Sequence, residues 1–357
     1  MKYPSLYQQS LQDPERFWEQ QAQKIDWFTF PPTILSQDEN ELFRWYHGGK
    51  LNTCYLALDY HVQHGRGDQT ALIYDSPVTN TKATFTYAEL LAKVATFAGV
   101  LQAQGVTKGD RVVIYMPMIP ESVVAMLACA RLGAIHSVVF GGFAAHELAL
   151  RIDDAQPKLI LTASGGKEVD RIIPYQPIVN AAIEQAEYPV STCIVFQRSI
   201  VTAELTEGRD HDWESLVRSA TPASYVEVAA NDPLYILYTS GTTGKPKGIV
   251  RENGGHAVVM KNSLEWVYDT KPGDVFWAAS DIGWVVGHSY IVYAPLIQGC
   301  TTVLFEGKPI RTPDAGTFWR IIEEYRVRVL FTAPTAFRAI RKEDAAGQLK
   351  KQYATSS

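Results

Sequence analysis

Apolar positions recur at helical spacing and in short continuous runs along the first half of the chain, and the two patterns alternate. Between Leu90 and Leu101 apolar residues recur every three to four positions, which predicts a helix, and Thr86 with Glu89 forms a capping-box pair at its start. The run 111–116, apolar from Val112 onward, follows and predicts a short buried strand. A helix that leads directly into a buried strand is the repeating unit of an α/β protein.

The alternation continues through most of the chain, with a break at the polar stretches 206–212 and 219–224. Strand–helix alternation at this pitch predicts an α/β fold with doubly wound, mostly parallel sheets. The predicted helices after the first one lie at 120–132, 144–152, 177–186, 288–297 and 315–325. The predicted strands lie at 111–116, 135–140, 158–162, 192–196, 234–238, 249–250, 275–279, 302–305 and 327–331.

Between two of these strands lies a loop rich in glycine, hydroxyl groups and lysine. Glycines let the backbone turn sharply and direct successive N–H groups at one anion, while the hydroxyls add donors and the lysines add positive charge. The loop is not a Walker A motif, because two residues separate its glycines and Pro246 follows the first lysine. We predict an exposed turn that binds the phosphates of ATP. The candidate residues are Thr239, Ser240, Gly241, Thr242, Thr243, Gly244, Lys245 and Lys247.

Four segments resemble the adenylate-forming enzymes. Residues 238–248 are similar to the phosphate-binding signature of that superfamily. Residues 281–296 resemble the short-chain acyl-CoA synthetases, and their Trp-Val-Val is closer to propionate-activating than to acetate-activating members. Residues 333–338 and 7–18 match further motifs of the same enzymes in the same order. The chain is therefore identified as a member of the acetyl-CoA synthetase family.

The resemblance implies a two-step reaction with small-molecule substrates. A short-chain carboxylate attacks the α-phosphate of ATP, which releases pyrophosphate and leaves an acyl-adenylate, and the thiol of coenzyme A then displaces AMP. Because negative charge develops on phosphate oxygens in both steps, fixed donors and Mg²⁺ would stabilise the transition states. The expected activity is that of an AMP-forming ligase that uses ATP, Mg²⁺ and coenzyme A.

For the acyl group, the resemblance implies a pocket lined by Trp284, Val285 and Val286. These residues could instead be part of the core, but Asp281, Gly283 and Gly287 frame them, and such a polar and glycine-containing frame favours an exposed loop at a strand end. Acetate-activating relatives tend to have threonine at position 286. Valine there offers apolar surface to one more methylene, worth about 0.8 kcal/mol, so propionate is the expected substrate and acetate the next.

For coenzyme A, the resemblance implies Arg171 on the nucleotide 3′-phosphate and Val286 as a second binding residue. A guanidinium group suits a phosphate because its donors form a planar fork. The family pattern usually has a second arginine where this chain has Glu168, and a polar residue where it has Ile310. Arg171 as a solvated charge at a helix start remains the alternative reading.

The resemblance also implies a division of the chain. We expect an N-terminal extension and the start of the large domain at 1–85, a first α/β subdomain at 86–225, and a second one with the phosphate loop at 226–357. The resembled enzymes continue into the rest of the large domain and a small C-terminal domain, which hold the adenine- and ribose-binding motifs and a catalytic lysine.

We therefore expect a chain cut short before the end of the large domain. No catalytic residue is assigned within it, and we expect it to be inactive alone, with an apolar surface left near 327–339. A stand-alone nucleotide- or acyl-binding module, or a pseudoenzyme, is the alternative.

Composition adds limits to this picture. The 357 residues are 46% hydrophobic with a formal net charge of −5, which argues against a nucleic-acid surface because phosphate contacts call for a basic domain. No apolar stretch reaches membrane-spanning length, and the acidic N-terminus lacks a signal-peptide pattern. We expect a cytoplasmic protein, or one of the mitochondrial matrix if a presequence has been removed; the oligomeric state stays open.

Cysteine and histidine positions predict no metal site. The cysteines show no CxxC spacing, which favours buried free thiols. His61 and His64 lie one helical turn apart without a third ligand and are expected at the surface. The cysteines are Cys54, Cys129, Cys193 and Cys300.

Overall fold

The computed structural model describes residues 3–239 and 246–353, and it confirms an α/β fold built on parallel sheets. The strands are β1 Thr33–Gln37, β2 Phe43–His47, β3 Lys50–Leu51, β4 Thr70–Ser76, β5 Thr81–Thr86, β6 Arg111–Tyr115, β7 Ile135–Val138, β8 Leu159–Ala163, β9 Gly165–Glu168, β10 Arg171–Pro174, β11 Cys193–Phe196, β12 Asp210–Asp212, β13 Val228–Ala229, β14 Pro233–Thr239, β15 Lys247–Glu252, β16 Val275–Ala279, β17 Thr301–Phe305 and β18 Val327–Thr332.

The helices cover the faces of these strands. The α-helices are α1 Tyr3–Gln12, α2 Pro14–Ala22, α3 Tyr87–Ala103, α4 Pro120–Leu132, α5 Ala145–Ala155, α6 Gln176–Gln185, α7 Trp213–Ser219, α8 Asn253–Trp266, α9 Val285–Gly287, α10 Ala294–Gln298, α11 Thr317–Glu324, α12 Pro334–Glu343 and α13 Gln348–Gln352. Tyr55–Asp59, Val62–Arg66 and His288–Tyr293 are π-helical.

Two sheets organise the fold. The larger sheet has the order β12-β11-β8-β6-β7-β14-β15, in which every pair is parallel except β14–β15. The smaller sheet has the order β18-β16-β17-β4-β5, in which only the β4–β5 pair is antiparallel.

Sheet membership does not follow the order of the chain. The strands β4 and β5, before residue 87, complete the smaller sheet, whereas β14 and β15, after residue 226, complete the larger one. The predicted division of the chain into subdomains at residues 85 and 225 stays a prediction. Each of the two sheets contains strands from both sides of one of these boundaries.

The strongest sequence signals are confirmed almost to the residue. Thr86 caps α3 in a capping box with Glu89, and α4 ends at Gly133, whose left-handed φ of 67° a glycine adopts without strain. Other elements differ in extent. The strand expected at 135–140 ends at Val138, and the helix expected at 288–297 is π-helical over its first half. The polar stretch after residue 206 contains β12 and α7.

The two sheets share one hydrophobic core. Its largest cluster of buried side chains includes Leu72 of β4 and Val112 of β6, together with Met126 of α4, Val258 of α8 and Leu296 of α10. Because both sheets and the helices around them bury side chains in the same cluster, their relative position is fixed by packing.

A buried ion pair also joins the sheets. Arg198, just after β11, donates from both terminal nitrogens to Glu306, just after β17, at 2.8 and 2.9 Å. The same carboxylate accepts hydrogen bonds from the hydroxyls of Tyr74 (2.6 Å) and Ser76 (2.8 Å) on β4. Both charged side chains are less than a tenth exposed, so these bonds replace the water that burial removes.

The prediction for His61 was wrong. This residue is 2% exposed, and its ring lies 5.0 Å from that of Tyr87. Its neighbour His64 is exposed, as expected. Buried free thiols are confirmed at all four cysteines. No helix in the part of the chain described here is long and apolar enough to cross a membrane. Near the predicted apolar surface at 327–339, β18 forms a sheet edge and Phe337 is 43% exposed.

Replacement of Arg198 by methionine tests the contribution of the buried ion pair between the sheets to stability. Arg198→Met leaves the Glu306 carboxylate buried without its cation, so the free energy of unfolding should fall by about 3–5 kcal/mol. Urea denaturation of the purified chain measures this change. As a matched control, Lys50→Met breaks the exposed pair with Glu227 and should cost less than about 1 kcal/mol. Equal losses in the two variants would contradict a structural role for the buried pair.

Candidate functional site

The candidate site lies where parallel strands of both sheets end. Residues that follow β6, β7, β16 and β17 line one cavity of about 170 Å³ between the sheets. Its walls include Met118, Phe140, Asp281, Glu306 and Lys308. In open α/β sheets, ligands bind in the crevice at the carboxyl ends of the strands. The position of this cavity therefore makes it the candidate binding site.

The two strands beside the predicted phosphate loop are confirmed. Thr239 and Lys247 are exposed, and they form the last register pair of the antiparallel strands β14 and β15. The other proposed loop residues lie outside the described residues: Ser240, Gly241, Thr242, Thr243, Gly244 and Lys245.

Side chains of α5 hold the strand that leads into the loop. The hydroxyl of Tyr238 donates to Asp154 at 2.5 Å, and the guanidinium group of Arg151 lies 5.7 Å from the Tyr238 ring centre. Burial, followed by the bond to Asp154, raises the pKa of Tyr238, so its hydroxyl stays a donor. The loop therefore begins from a fixed point next to β7.

The predicted acyl residues lie in the turn after β16. Trp284 and Val285 are 46% and 43% exposed, and Val286 is half-buried against the shared core. The Trp284 ring packs on Phe140 and Phe143, with ring centres 5.4 and 6.2 Å apart. A segment buried in the core would not leave two large side chains this exposed. The structure thus places these residues on a surface beside the cavity, and their acyl role stays a prediction.

Two glycines fix the shape of this turn. A Cβ atom on Gly283 would lie 2.8 Å from the Phe140 Cα atom, and one on Gly287 would lie 1.9 Å from the Asp281 carbonyl oxygen. Both distances are too short for any other residue without a backbone shift. The side-chain carboxylate of Asp281 accepts the Gly283 N–H at 2.7 Å, which closes the turn.

Arg171 lies at the entrance to the cavity system. It begins β10, several residues before α6, and pairs across a hairpin with Glu168 at the end of β9. A second cavity of about 400 Å³ opens here and shares Glu168, Val169 and Lys308 with the first. The structure therefore connects Arg171 with the Phe140 region. Val286, proposed with Arg171 for coenzyme A, lines neither cavity.

Sequence reasoning gave no role to the two carboxylates inside the cavity, because it placed Asp281 only in the frame of the Trp284 turn and missed Glu306. Burial raises the pKa of Asp281 to about 6, against the opposing effect of its bond to the Gly283 N–H. Glu306 faces the same cavity while it bonds to Arg198. The only available signal was the location of both residues directly after predicted strands, where site residues of α/β proteins concentrate.

A cluster of buried imidazoles lies beneath the Trp284 turn. His288 contacts the Trp284 carbonyl oxygen through Nδ1 at 3.1 Å, and its ring stacks on His136, which contacts the Tyr293 hydroxyl at 2.5 Å. Burial lowers the pKa of His288 to about 4 and that of His256 to about 3. The rings are therefore neutral near pH 7, and they join the start of the turn to the core.

Comparisons with known proteins agree with this geometry. Residues 59–357 match the family model of AMP-binding enzymes, and residues 3–57 match that of the acetyl-coenzyme A synthetase N-terminus. The chain is 51% identical over 353 residues to acyl-CoA synthetase short-chain family member 3, mitochondrial, of Homo sapiens, which covers 99% of this chain and 52% of that protein. It is 44% identical over 346 residues to propionate–CoA ligase of Escherichia coli (strain K12), with 96% and 54% covered.

A solved structure supports the same fold. Acetoacetyl-CoA synthetase from Streptomyces lividans superposes with a TM-score of 0.86 at 30% identity, over 95% of this chain and 51% of that one. The chain thus spans about half the length of the curated relatives and of the solved structure that it matches.

Acidification should test the buried imidazoles. The neutral form of His256 is fully favourable above the unfolded pKa of about 6.5, and this contribution is lost as the pH falls toward the folded value of about 3. Between pH 7.5 and pH 5 the residue should cost roughly 2 kcal/mol of stability, and His256→Leu should abolish that loss. Urea denaturation at both pH values measures it. The exposed His146 provides the control, because His146→Leu should leave the pH dependence unchanged; equal behaviour of the two variants would contradict the burial effect.

Proposed function

Because this chain belongs to the AMP-binding enzyme family, we propose that it forms most of the substrate-binding half of an AMP-forming, short-chain acyl-CoA synthetase. In this reaction a carboxylate and ATP give an acyl-adenylate and pyrophosphate, and coenzyme A then takes the acyl group and releases AMP. The substrates are small molecules, and neither a nucleic acid nor a membrane takes part.

One observation carries the proposal. Three parts of the proposed site come from distant parts of the chain: the flank of the phosphate loop, the Trp284 turn and the Arg171 hairpin. Each of them follows a parallel strand or belongs to a hairpin that lies next to a parallel strand. The Trp284 turn and the Arg171 hairpin lie beside two cavities that share lining residues. An enzyme that joins a carboxylate, a nucleotide and a thiol needs three such neighbouring subsites, because orientation supplies much of the rate.

The loop between β14 and β15 would bind the β- and γ-phosphates of ATP. Its glycines would let backbone N–H groups approach the phosphates, and Lys245 and Lys247 would add charge-assisted hydrogen bonds. In the described parts of the chain, no three His, Cys, Asp or Glu side chains come together as a metal site. Mg²⁺ would therefore arrive bound to the ATP phosphates, as this ion commonly does.

Propionate is the proposed acyl substrate, with acetate the next. Trp284, Val285 and Val286 present aromatic and aliphatic surface beside the cavity, without a hydroxyl group. The name of the bacterial relative supports the choice, since that protein is called a propionate–CoA ligase. The name of the human relative supports the short-chain class.

Coenzyme A would enter from the Arg171 side. Its phosphorylated nucleotide would stay at the basic entrance, and its extended pantetheine arm would run along the inner cavity toward Phe140 and Trp284. We propose the cytoplasm or the mitochondrial matrix as the location; the name of the human relative includes the mitochondrion.

Introduction of one hydroxyl group into the proposed acyl pocket tests the assignment of propionate as the substrate. In the active enzyme, Val286→Thr should lower the ratio of kcat/KM for propionate to that for acetate by about threefold to tenfold, because it places a polar group where the extra methylene would lie. Acid-dependent AMP formation with each substrate measures the ratio. Val267→Thr, at a side chain that is 67% exposed just after the end of α8, should leave it unchanged. A wild-type preference for acetate would overturn the propionate assignment.

We also propose that residues 1–357 alone do not complete the reaction. In the resembled family, the adenine-binding groups and the adenylating lysine come from parts of the sequence that have no counterpart here. The purified 357-residue chain should therefore form no AMP from ATP, propionate and coenzyme A, when AMP is followed by chromatography. Clear AMP formation that requires all three substrates would show that the chain is catalytically complete.

A further inference from the structure

The entrance to the cavity system contains an ion pair in an unusual place for a phosphate site. Glu168, at the end of β9, pairs with Lys308 after β17, so the pair joins the separate β9–β10 hairpin to the loop that follows a strand of the smaller sheet. The hydrogen bond and charge of Lys308 hold the pKa of Glu168 below its ordinary value. Both side chains are about half exposed, and an exposed pair of this kind is weak. A stronger anion could therefore replace the carboxylate.

The remaining charges at the entrance favour an anion. The cavity there is lined by three cationic side chains, Arg171, Lys308 and Arg311, and by two carboxylates, Glu168 and Asp170, which leaves one positive charge in excess. Within residues 3–239 and 246–353, neither Arg171 nor Arg311 forms an ion pair. Two guanidinium groups that line this cavity are thus available to a ligand.

The loop after β17 holds its cations in place. The Lys308 N–H donates to the Thr312 hydroxyl at 2.7 Å, and that hydroxyl donates to the Lys308 carbonyl oxygen at 2.7 Å. Thr312 is 3% exposed, so this link is anchored in the fold. Between them, Arg311 adopts a left-handed φ of 65°, which costs energy for a residue other than glycine. The loop is therefore a fixed turn that presents Lys308 and Arg311 to the same cavity.

We propose that Glu168 competes with the 3′-phosphate of coenzyme A for Lys308, and that Lys308 and Arg311 complete the phosphate site that Arg171 begins. The inference rests on the proposed function, which supplies the ligand. When the phosphate binds, Lys308 exchanges its carboxylate partner for the phosphate, and Glu168 turns to solvent. The cation that the family pattern usually has at position 168 would then be supplied by the loop after β17.

The choice of coenzyme A follows from the shape of the site as well as from its charge. The entrance shares Glu168, Val169 and Lys308 with the inner cavity, which extends to Phe140 and Asp281. A ligand with a phosphate at one end and a narrow arm at the other can occupy both spaces. A free phosphate would occupy the entrance alone.

Removal of the competing carboxylate gives a distinctive result. Glu168→Gln should tighten the binding of coenzyme A to the purified chain by about twofold to fivefold, the range for release of an exposed ion pair, and should leave dephospho-coenzyme A unchanged. Isothermal titration with both ligands measures the two dissociation constants. Glu187→Gln, at an exposed carboxylate elsewhere, is the matched control and should change neither.

A second pair of variants tests the cations. Arg311→Ala and Lys308→Met should each weaken coenzyme A by about fivefold and remove most of its advantage over dephospho-coenzyme A, whereas Arg341→Ala on α12 should not. Loss of affinity for both ligands alike would point to damage of the fold and overturn the proposal. If the wild-type chain binds neither ligand, the coenzyme A site of the proposed function fails with it. If coenzyme A binds but Glu168→Gln leaves its preference over dephospho-coenzyme A unchanged, the proposed function stands and this inference fails.

Discussion

The buried pair between Arg198 and Glu306 sets the geometry on which the site depends. Burial makes an unpaired charge very costly, so the two groups must stay together. The segments after β11 and β17 must therefore keep their relative position. The hydroxyls of Tyr74 and Ser76 add β4 to the same centre. Three strand ends are thereby held at one point, and the walls of the inner cavity follow from their positions.

Topology explains why distant motifs meet. The strands β4 and β17 are parallel neighbours although more than two hundred residues separate them, and β14 joins the sheet that begins with β6. In both sheets the parallel strands end toward the same crevice. The sequence separates the Trp284 turn from Phe140 by well over a hundred residues, and the fold brings the two ring centres to 5.4 Å from each other.

Local signals in the sequence predicted the elements well, and long-range relations escaped them. The capping box at Thr86 and the stop at Gly133 were predictable because each depends on a few adjacent residues. The burial of His61 was not, because it arises from packing against Tyr87. Nothing in the sequence indicated that Arg198 and Glu306 pair, since their partnership exists only after the sheets come together. The site residues Arg171 and Trp284 were found through resemblance, whereas their cavities required the structure.

The two strands of the antiparallel hairpin β14–β15, which flank the predicted phosphate loop, are held unequally by the rest of the fold. Strand β14 is bonded to neighbours on both sides and tied to α5 through Tyr238, whereas β15, among the described residues, is bonded to β14 alone and has Ile249 and Val250 about half exposed. In such a hairpin, one strand is held by its neighbours on both sides, and the other strand is held less firmly. A ligand bound between Thr239 and Lys247 would therefore displace the Lys247 end of the pair more easily than the Thr239 end.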